Sequence, residues 1–402
     1  MRATPSREEL LSRLPALVEE IAKGSSERDL ERQLPFEAFR LFRESGLGAL
    51  RIPVALGGPG GSIADYIGMI ETIAAADSNV AHALRSHFNF TESLALAPDA
   101  PKARLGLERV LDGAIFGGAH TEQGGPKAGV TFTTTLTKVG DTFRLNGKKW
   151  YATGTAFSDY ASFSGNAEDG SFVSVLIPVT REGITILDDW DGMGQRLTAS
   201  GGVELKNVEV FPDEISTRQL GNLVGRHTST LRQLHLAACA AGVVRNVLAD
   251  ATAYVQKQAR AAAHSAAAAA GEDPFVQHTV GEIAADSFAI DALIAESARA
   301  LDRTADAFLA GAPESEIEKL LIDSALTTAR TQIVLGKLGL GAATAMFETG
   351  GGSATSRKYN FDRHWRNIRT LLNHNPLNHK ARVVGDYVVN GTTTHLEEGK
   401  VF

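Results

Sequence analysis

The 402-residue sequence predicts an α+β protein in three parts. An N-terminal α-helical domain spans 1–112, a middle antiparallel β domain 113–222, and a C-terminal four-helix bundle with its tail 223–402. Three observations lead there. Apolar residues recur with a helical period at both ends of the chain and with a period of two from 113 to 215. No helical pattern alternates with the strand-like runs, which argues against a Rossmann unit. The length exceeds what one simple core accommodates.

The helical part opens at "SREELLSRLPALVEEIAK", where Ser6 and Glu9 form a capping box and Leu10, Leu14, Leu17 and Ile21 share a face. "PFEAFRLFRES" runs from Pro35 to a stop at Gly46. After the turn-rich "GGPGGS" (57–62), Ser62 and Asp65 open another helix. "SNVAHALRSHFNFTESLAL" then puts Val80, Leu84, His87, Phe88 and Thr91 on one stripe. In the middle, runs such as "VTFTTTLTKV" and "SFVSVLIPV" read as short strands, with hairpin turns expected at Gly140-Asp141, Asn146-Gly147 and Lys206-Asn207. The helical period returns in a long element over 228–260, followed by the Ala-rich "RAAAHSAAAAAGEDP" (260–274), a helix end or a loop. Two more long helices, 275–311 and 314–347, complete the bundle before Gly350, Gly351 and Gly352 break the pattern.

Composition narrows the function. A net charge of −7, with 43% hydrophobic and 22% charged residues, describes a soluble protein and not a nucleic-acid binder. The lone Cys239 excludes an internal disulfide and a cysteine zinc site, and no histidine spacing matches a metal motif, so no metal is expected. No apolar run approaches the ~20 residues of a membrane span, and the N-terminus lacks a signal-peptide core. A cytoplasmic protein without a membrane or nucleic-acid partner is expected. The basic segment "RHWRNIRTLLNHNP" (363–376) points to a small anionic ligand, with Trp365 packed inward and an arginine facing a cofactor or an interface.

Three motifs occur in order: "FGGAHTEQGGPKAG" (116–129), "LNGKKWYATGTAFSDY" (145–160) and "YVQKQAR" (254–260). Together they resemble the acyl-CoA dehydrogenase superfamily along nearly the whole chain. The resemblance implies that Thr121 and the backbone near His120 contact the pyrimidine edge of a flavin. It places Tyr151 and Thr153 by the central ring, Thr153 near N5, and Arg260 at a phosphate, on a neighbouring subunit's flavin. The bland alternatives are strand threonines at 121 and 153 and a solvated helix end at Arg260.

Acyl thioester dehydrogenation needs a carboxylate base. The family's base position corresponds to "HWRNIRTLLNHNP", which has no Asp or Glu between Asp362 and Asp386; the other base position, in "RHTSTLRQLHLAA" (226–238), has none either. Instead, "DDWDGMGQRLTASGGVELKNVEV" and "FDRHWRNIRTLLNHNPLNHKARVVGDYVVNG" resemble a flavin-dependent monooxygenase branch, that of dibenzothiophene monooxygenase and sulfur-acquisition enzymes. There two histidines face the flavin, at positions matching His87 and His374. Three positions depart from the branch: Gly118 stands for an Asn, Thr153 for a Ser near N5, and Ser353 for a second phosphate-binding Arg.

The resemblance implies the oxygenase component of a two-component flavin-dependent monooxygenase. It would use reduced FMN and O2, through a flavin hydroperoxide, to oxygenate a small, mostly apolar molecule: an organosulfur compound, an aromatic such as indole, or an amine. "GKLGLGAATA" (336–345) follows a helical pattern and is no dinucleotide motif, so a separate NAD(P)H-flavin reductase is the expected partner, and a homotetramer the expected assembly. FAD is the alternative flavin, and an FAD-dependent acyl-CoA dehydrogenase the alternative function; a non-catalytic protein on the same fold is a third reading. His374, ahead of the helix-stopping Pro376, is expected at a helix C-terminus, which favours the protonated imidazole. His82 and His364 read as core histidines.

Overall fold

The structure, a computed structural model, describes residues 5–99, 103–124, 132–216 and 222–397. The glycine-rich end of the 116–129 motif falls partly outside them. The N-terminal part contains α1 (Arg7–Leu11), α2 (Leu14–Ala22), α3 (Ser25–Glu31), α4 (Phe36–Ser45), α5 (Ile63–Ala83), α6 (Arg85–Leu96) and α7 (Ala103–Leu111). Both expected capping boxes form, at Ser6/Glu9 and Ser62/Asp65. Gly46 ends α4 at φ +75°, a conformation that favours glycine. α5 is not continuous: Asp77 has extended backbone (φ −154°, ψ 104°), and its carboxylate accepts from the Asn79 N–H at 3.0 Å and pairs with Arg28 at 3.0 Å. The segment after this break turns its side chains toward the other two domains.

The middle strands are β1 (Phe116–Ala119), β2 (Thr135–Val139), β3 (Thr142–Lys149), β4 (Tyr160–Ala167), β5 (Phe172–Pro178), β6 (Ile184–Ile186), β7 (Val203–Val210) and β8 (Ile215–Ser216). They form one sheet in the order β6-β7-β3-β2-β4-β5-β8, with β1 on β4. The sheet is mixed rather than antiparallel, because β1 and β2 both pair with β4 in parallel. Gly140-Asp141 makes the expected hairpin between β2 and β3. Asn146-Gly147 and Lys206-Asn207 do not turn. They lie opposite one another inside β3 and β7, where the register shifts, Asn207 takes φ +52° and the Asn146 side chain accepts its N–H at 2.7 Å. A bulge and a turn demand the same residue types, so composition alone could not separate them.

The C-terminal part contains α8 (Leu223–Lys257), α9 (Pro274–Leu309), α10 (Glu314–Ala345), α11 (Asp362–Asn373), α12 (Leu377–Asn390) and α13 (Thr394–Glu397). The Ala-rich link is loop, with one 3-10 turn at Ala270–Glu272. α8, α9 and α10 are the three long members of the bundle; α11 covers α8 on the fourth side and α12 packs on α10. α8 is long and apolar enough to cross a membrane by length and composition. Here it is the central core helix, buried by α5, α9, α10 and α11, and Cys239 lies in its fully buried stretch.

Three side chains of the basic segment act as a clamp, while Arg369 makes no ion pair or hydrogen bond among the described residues. Arg363 and His364 both reach Asp250 of α8, His364 at 2.9 Å, and Arg366 holds Asp29 at 2.9 Å and Asp362 at 2.7 Å. Trp365 does not pack inward and is 38% exposed. The buried face of α11 is Arg363, His364, Asn367, Ile368, Leu371 and Leu372, and Trp365 falls on the opposite side of that stripe.

Candidate active site

Gln195 is the point where the three domains meet. Its backbone takes φ +50°, and its side chain is buried. Its Nε2 donates to Ser78 Oγ of α5 at 2.8 Å, so its Oε1 accepts from His82 Nδ1 at 3.1 Å. Its backbone N–H donates to Asn367 Oδ1 of α11 at 2.7 Å, and Leu197 N–H to Asn79 Oδ1 of α5 at 3.0 Å. Gly154, after β3, rests on the carbonyl of Ala83 so closely that a side chain there would collide.

A chain of hydroxyls leads from this hub to Thr153, and its direction is fixed. Thr198 Oγ1 donates its one proton to the Gln195 carbonyl at 2.9 Å. It must then accept from Ser200 Oγ at 2.6 Å, and Ser200 in turn accepts from Thr153 Oγ1 at 2.7 Å. The outward lone pairs of Thr153 Oγ1 are left as acceptors.

Beside His82 the ends of α5 and α11 meet α8, where His235 Nε2 donates to the Ala81 carbonyl at 2.8 Å and Asn375 reaches Gln233; this meeting point, with the start of α6, is the recess considered below. His374, the C-cap of α11, is exposed in the single chain. Asn375 is fixed by Gln233 of α8, and His374 Nδ1 donates to Asn375 Oδ1 at 3.3 Å, which leaves Nε2 as an acceptor. The expected imidazolium is absent. Arg85 first, then burial, and then Arg232 and Lys380 push His374 down to about 3, outweighing the favourable helix end. His82 is held neutral by burial and by Arg85, and its buried Nε2 has no partner among the described residues.

His87 does not join this group. It is fully buried, donates from Nε2 to the Gly48 carbonyl at 2.9 Å and accepts the Phe116 N–H at Nδ1, 3.3 Å away. Burial lowers it to about 4. The histidine beside His374 is therefore His82. Both lie near the α5–α6 junction, and their different partners, Gln195 and Gly48, come from distant segments that local spacing does not reveal.

On the sheet side, Thr121 and Trp150 form a bridge, with the Trp150 N–H donating to the Thr121 carbonyl at 2.8 Å. This sets Thr121, Tyr151 and Thr153 in one row. Tyr151 is 56% exposed, takes φ +56° and stands edge-on to Trp150 and Trp190. Glu122 fastens the row to the sheet. Its carboxylate accepts from Lys149 Nζ at 2.6 Å and from the N–H and hydroxyl groups of Thr133 and Thr134. Burial alone would raise Glu122, but Lys149 and the threonines hold it down to about 2. His120 Nδ1 meets Ser164 Oγ at 2.7 Å, and its Nε2 lies 2.8 Å from where a Cβ on Gly118 would sit. The His120 ring thus fills the space that an asparagine at 118 would need. Arg260 and Ser353 are exposed, the first beyond the end of α8 and the second in a 3-10 turn (Gly351–Thr355).

Models of the acyl-CoA dehydrogenase N-terminal, middle and C-terminal domains match residues 5–104, 118–208 and 234–379. A dibenzothiophene monooxygenase of Mycolicibacterium goodii is 30% identical over 87% of this chain and 86% of its own. The chain belongs to the acyl-CoA dehydrogenase family. Within that family it is similar to the probable FMNH2-dependent monooxygenase SfnC of Pseudomonas putida, 28% identical over 93% of both chains. Among solved structures, TdsC from Paenibacillus sp. A11-2 in complex with FMN and indole superposes with a TM-score of 0.83 at 27% identity, covering 95% of this chain and 97% of that one. Methanesulfinate monooxygenase MsuC from Pseudomonas fluorescens gives 0.84 at 26% identity, with the same coverage.

The residues present fit a family flavin, and a reduced one in particular. Reduced isoalloxazine carries a proton on N5 and would need an acceptor there; at the N5 position that the family resemblance implies for Thr153, the hydroxyl chain would leave Oγ1 as one. The exposed Tyr151 and the half-exposed Thr121 supply an open edge for the ring. The dehydrogenase chemistry of the family lacks its base. Glu92 is the one carboxylate on α6, and it is fully buried with Arg51 at 2.8 Å and His227 at 3.0 Å. Those partners outweigh burial and hold it down to about 2, so it is closed to a substrate.

Proposed function

We propose that this protein is the oxygenase component of a two-component flavin-dependent monooxygenase. It acts in the cytoplasm as a homotetramer, takes reduced FMN from a separate NAD(P)H-flavin reductase, and transfers one oxygen atom of O2 to a small organic substrate. The observation that carries the reading is the polarity of the Thr153 chain, which presents an acceptor where reduced flavin presents a donor. Relatives named as FMNH2-dependent or dibenzothiophene monooxygenases, and a TdsC structure holding FMN and indole, support the cofactor and the reaction class.

Bound FMN, once reduced, supplies the electrons that activate O2. The chain's own residues do the rest. Thr121, Tyr151 and Thr153 hold the ring system, and Glu122 keeps their row in place. Arg260 and Ser353 lie on the surface, where a neighbouring copy's phosphate can reach them. Phe275 and Phe288 of α9, 81% and 77% exposed, with Val388 and Val389 of α12, support an assembly that covers the bundle. In the recess, His374 and His82 offer neutral acceptor nitrogens that can take a proton or hold one on a reacting oxygen. The FAD-dependent acyl-CoA dehydrogenase reading asks for a carboxylate at the same place, and the recess presents histidines and an arginine instead.

The test is an aerobic assay with any flavin reductase, NADH and FMN against thiophenes, sulfones, indoles, amines and their acidic derivatives, with products read by mass spectrometry. Incorporation of one 18O atom from 18O2 supports the proposal. Tight copurification of FAD that acyl-CoA bleaches would overturn it.

A further inference from the structure

Arg85 opens α6 immediately after the α5–α6 junction, two residues beyond Ala83, on which Gly154 rests. Its side chain is half-buried. Among the described residues it makes no ion pair and no hydrogen bond. Arg28, Arg51, Arg363 and Arg366 near the domain junctions are anchored, to Asp77, Glu92, Asp250 and Asp29 respectively. A guanidinium carries five donors and a charge that cannot be shed near neutral pH. Burial lowers Arg85 only to about 10, so it remains charged. A half-buried cation without a counter-charge is costly in a folded protein. Such a group marks a place for a ligand when a second feature of the site agrees.

The second feature is His82, which is buried and whose Nε2 lacks a partner. His82 and Arg85 sit three residues apart on either side of the junction, and both bear electrostatically on His374. Arg85, Arg232 and Lys380 all bear on His374 as cations, and no carboxylate bears on Arg85. That donor set does not suit an uncharged hydrocarbon or thiophene. We propose that the recess binds an anionic substrate, a small organic acid whose carboxylate, sulfinate or sulfonate group docks on the guanidinium of Arg85, with the atom to be oxygenated held toward His374 and Thr153. Calling this anion a substrate rests on the oxygenase reading; the site itself does not. An anion on Arg85 would also cancel the largest of the effects that keep His374 neutral, coupling substrate binding to the histidine's basicity.

The test needs no turnover. Calorimetric titration of the flavin-free protein with benzoate and benzenesulfinate, against the uncharged benzamide and methyl phenyl sulfone, reads the charge preference directly. The anions should bind about ten- to a hundredfold tighter, the range expected of a charge-assisted contact. Arg85→Met should remove the preference, and Arg85→Lys should keep part of it. Arg85→Met should also hold or raise the melting temperature, because the guanidinium has no protein partner to lose; a lowered one would mean a structural arginine and overturn the assignment. Equal binding of acids and neutral analogues to the unmodified protein, or a preference that survives in Arg85→Met, would overturn it as well. A protein that shows the preference and yet oxygenates nothing with reductase, NADH and FMN supports the Arg85 site and sinks the oxygenase reading alone.

Discussion

Removing the carboxylate of Glu122 tests whether one residue holds the flavin-side row. In Glu122→Ala, the Lys149 side chain, with 0% exposure, becomes a buried ammonium with its anion gone, and Thr134, equally buried, loses two acceptor contacts. Breaking a buried pair from one side costs about 3–5 kcal/mol. Lys149→Met should cost less, about 1.5–3 kcal/mol, because the carboxylate keeps four donors from Thr133 and Thr134. The two changes should not add. Placing Lys149→Met on the Glu122→Ala background removes the stranded cation and should restore stability while leaving the row loose. Urea unfolding followed by Trp150 fluorescence measures the first quantity, and anaerobic titration with reduced FMN the second. The pH dependence has a definite sign. Glu122 lies at about 2 in the folded protein, below the ~4.3 of an unfolded chain. Its contribution is therefore complete above ~4.3 and is lost as pH falls through about 2. A double variant less stable than Glu122→Ala, or one with undiminished FMN affinity, would refute this account.

Three further outcomes are expected. His374→Ala should keep the fold and flavin affinity but release more hydrogen peroxide and less product per O2 consumed, whereas His87→Ala should lower the melting temperature through two lost backbone contacts; a peroxide assay alongside thermal unfolding separates them. Arg260→Ala should weaken reduced FMN by about ten- to a hundredfold without changing stability, and an unchanged dissociation constant would return Arg260 to the role of a solvated helix end. NMR titration of the ring protons should find His374 neutral from pH 5 to 8 in the free protein, as its position near 3 requires. It should also show the pKa rising when benzoate is added; an unmoved resonance would disconnect His374 from Arg85.

Periodicity alone was enough for the three-part organisation, both capping boxes and the long bundle helices, because these depend on local spacing and on residues within one turn of each other. The two short motifs that carry Thr121, Tyr151 and Thr153 were legible for the same reason, and the Thr121–Trp150 bridge brings the two motifs side by side. What the sequence could not decide depends on contacts between distant segments. Asn146-Gly147 reads as a turn until β7 is placed beside it. Arg363, His364 and Arg366 read as part of a ligand site until Asp29 and Asp250, 337 and 114 positions away from Arg366 and His364, are seen to hold them. His82 and His87 lie five residues apart in one segment of helical period, and only the Gln195 loop and Gly48 determine that the first bonds to Gln195 and the second is locked into the core. The charge of His374 turned on Arg85, 289 positions earlier, since a neighbouring cation outweighs the weak field of a helix end.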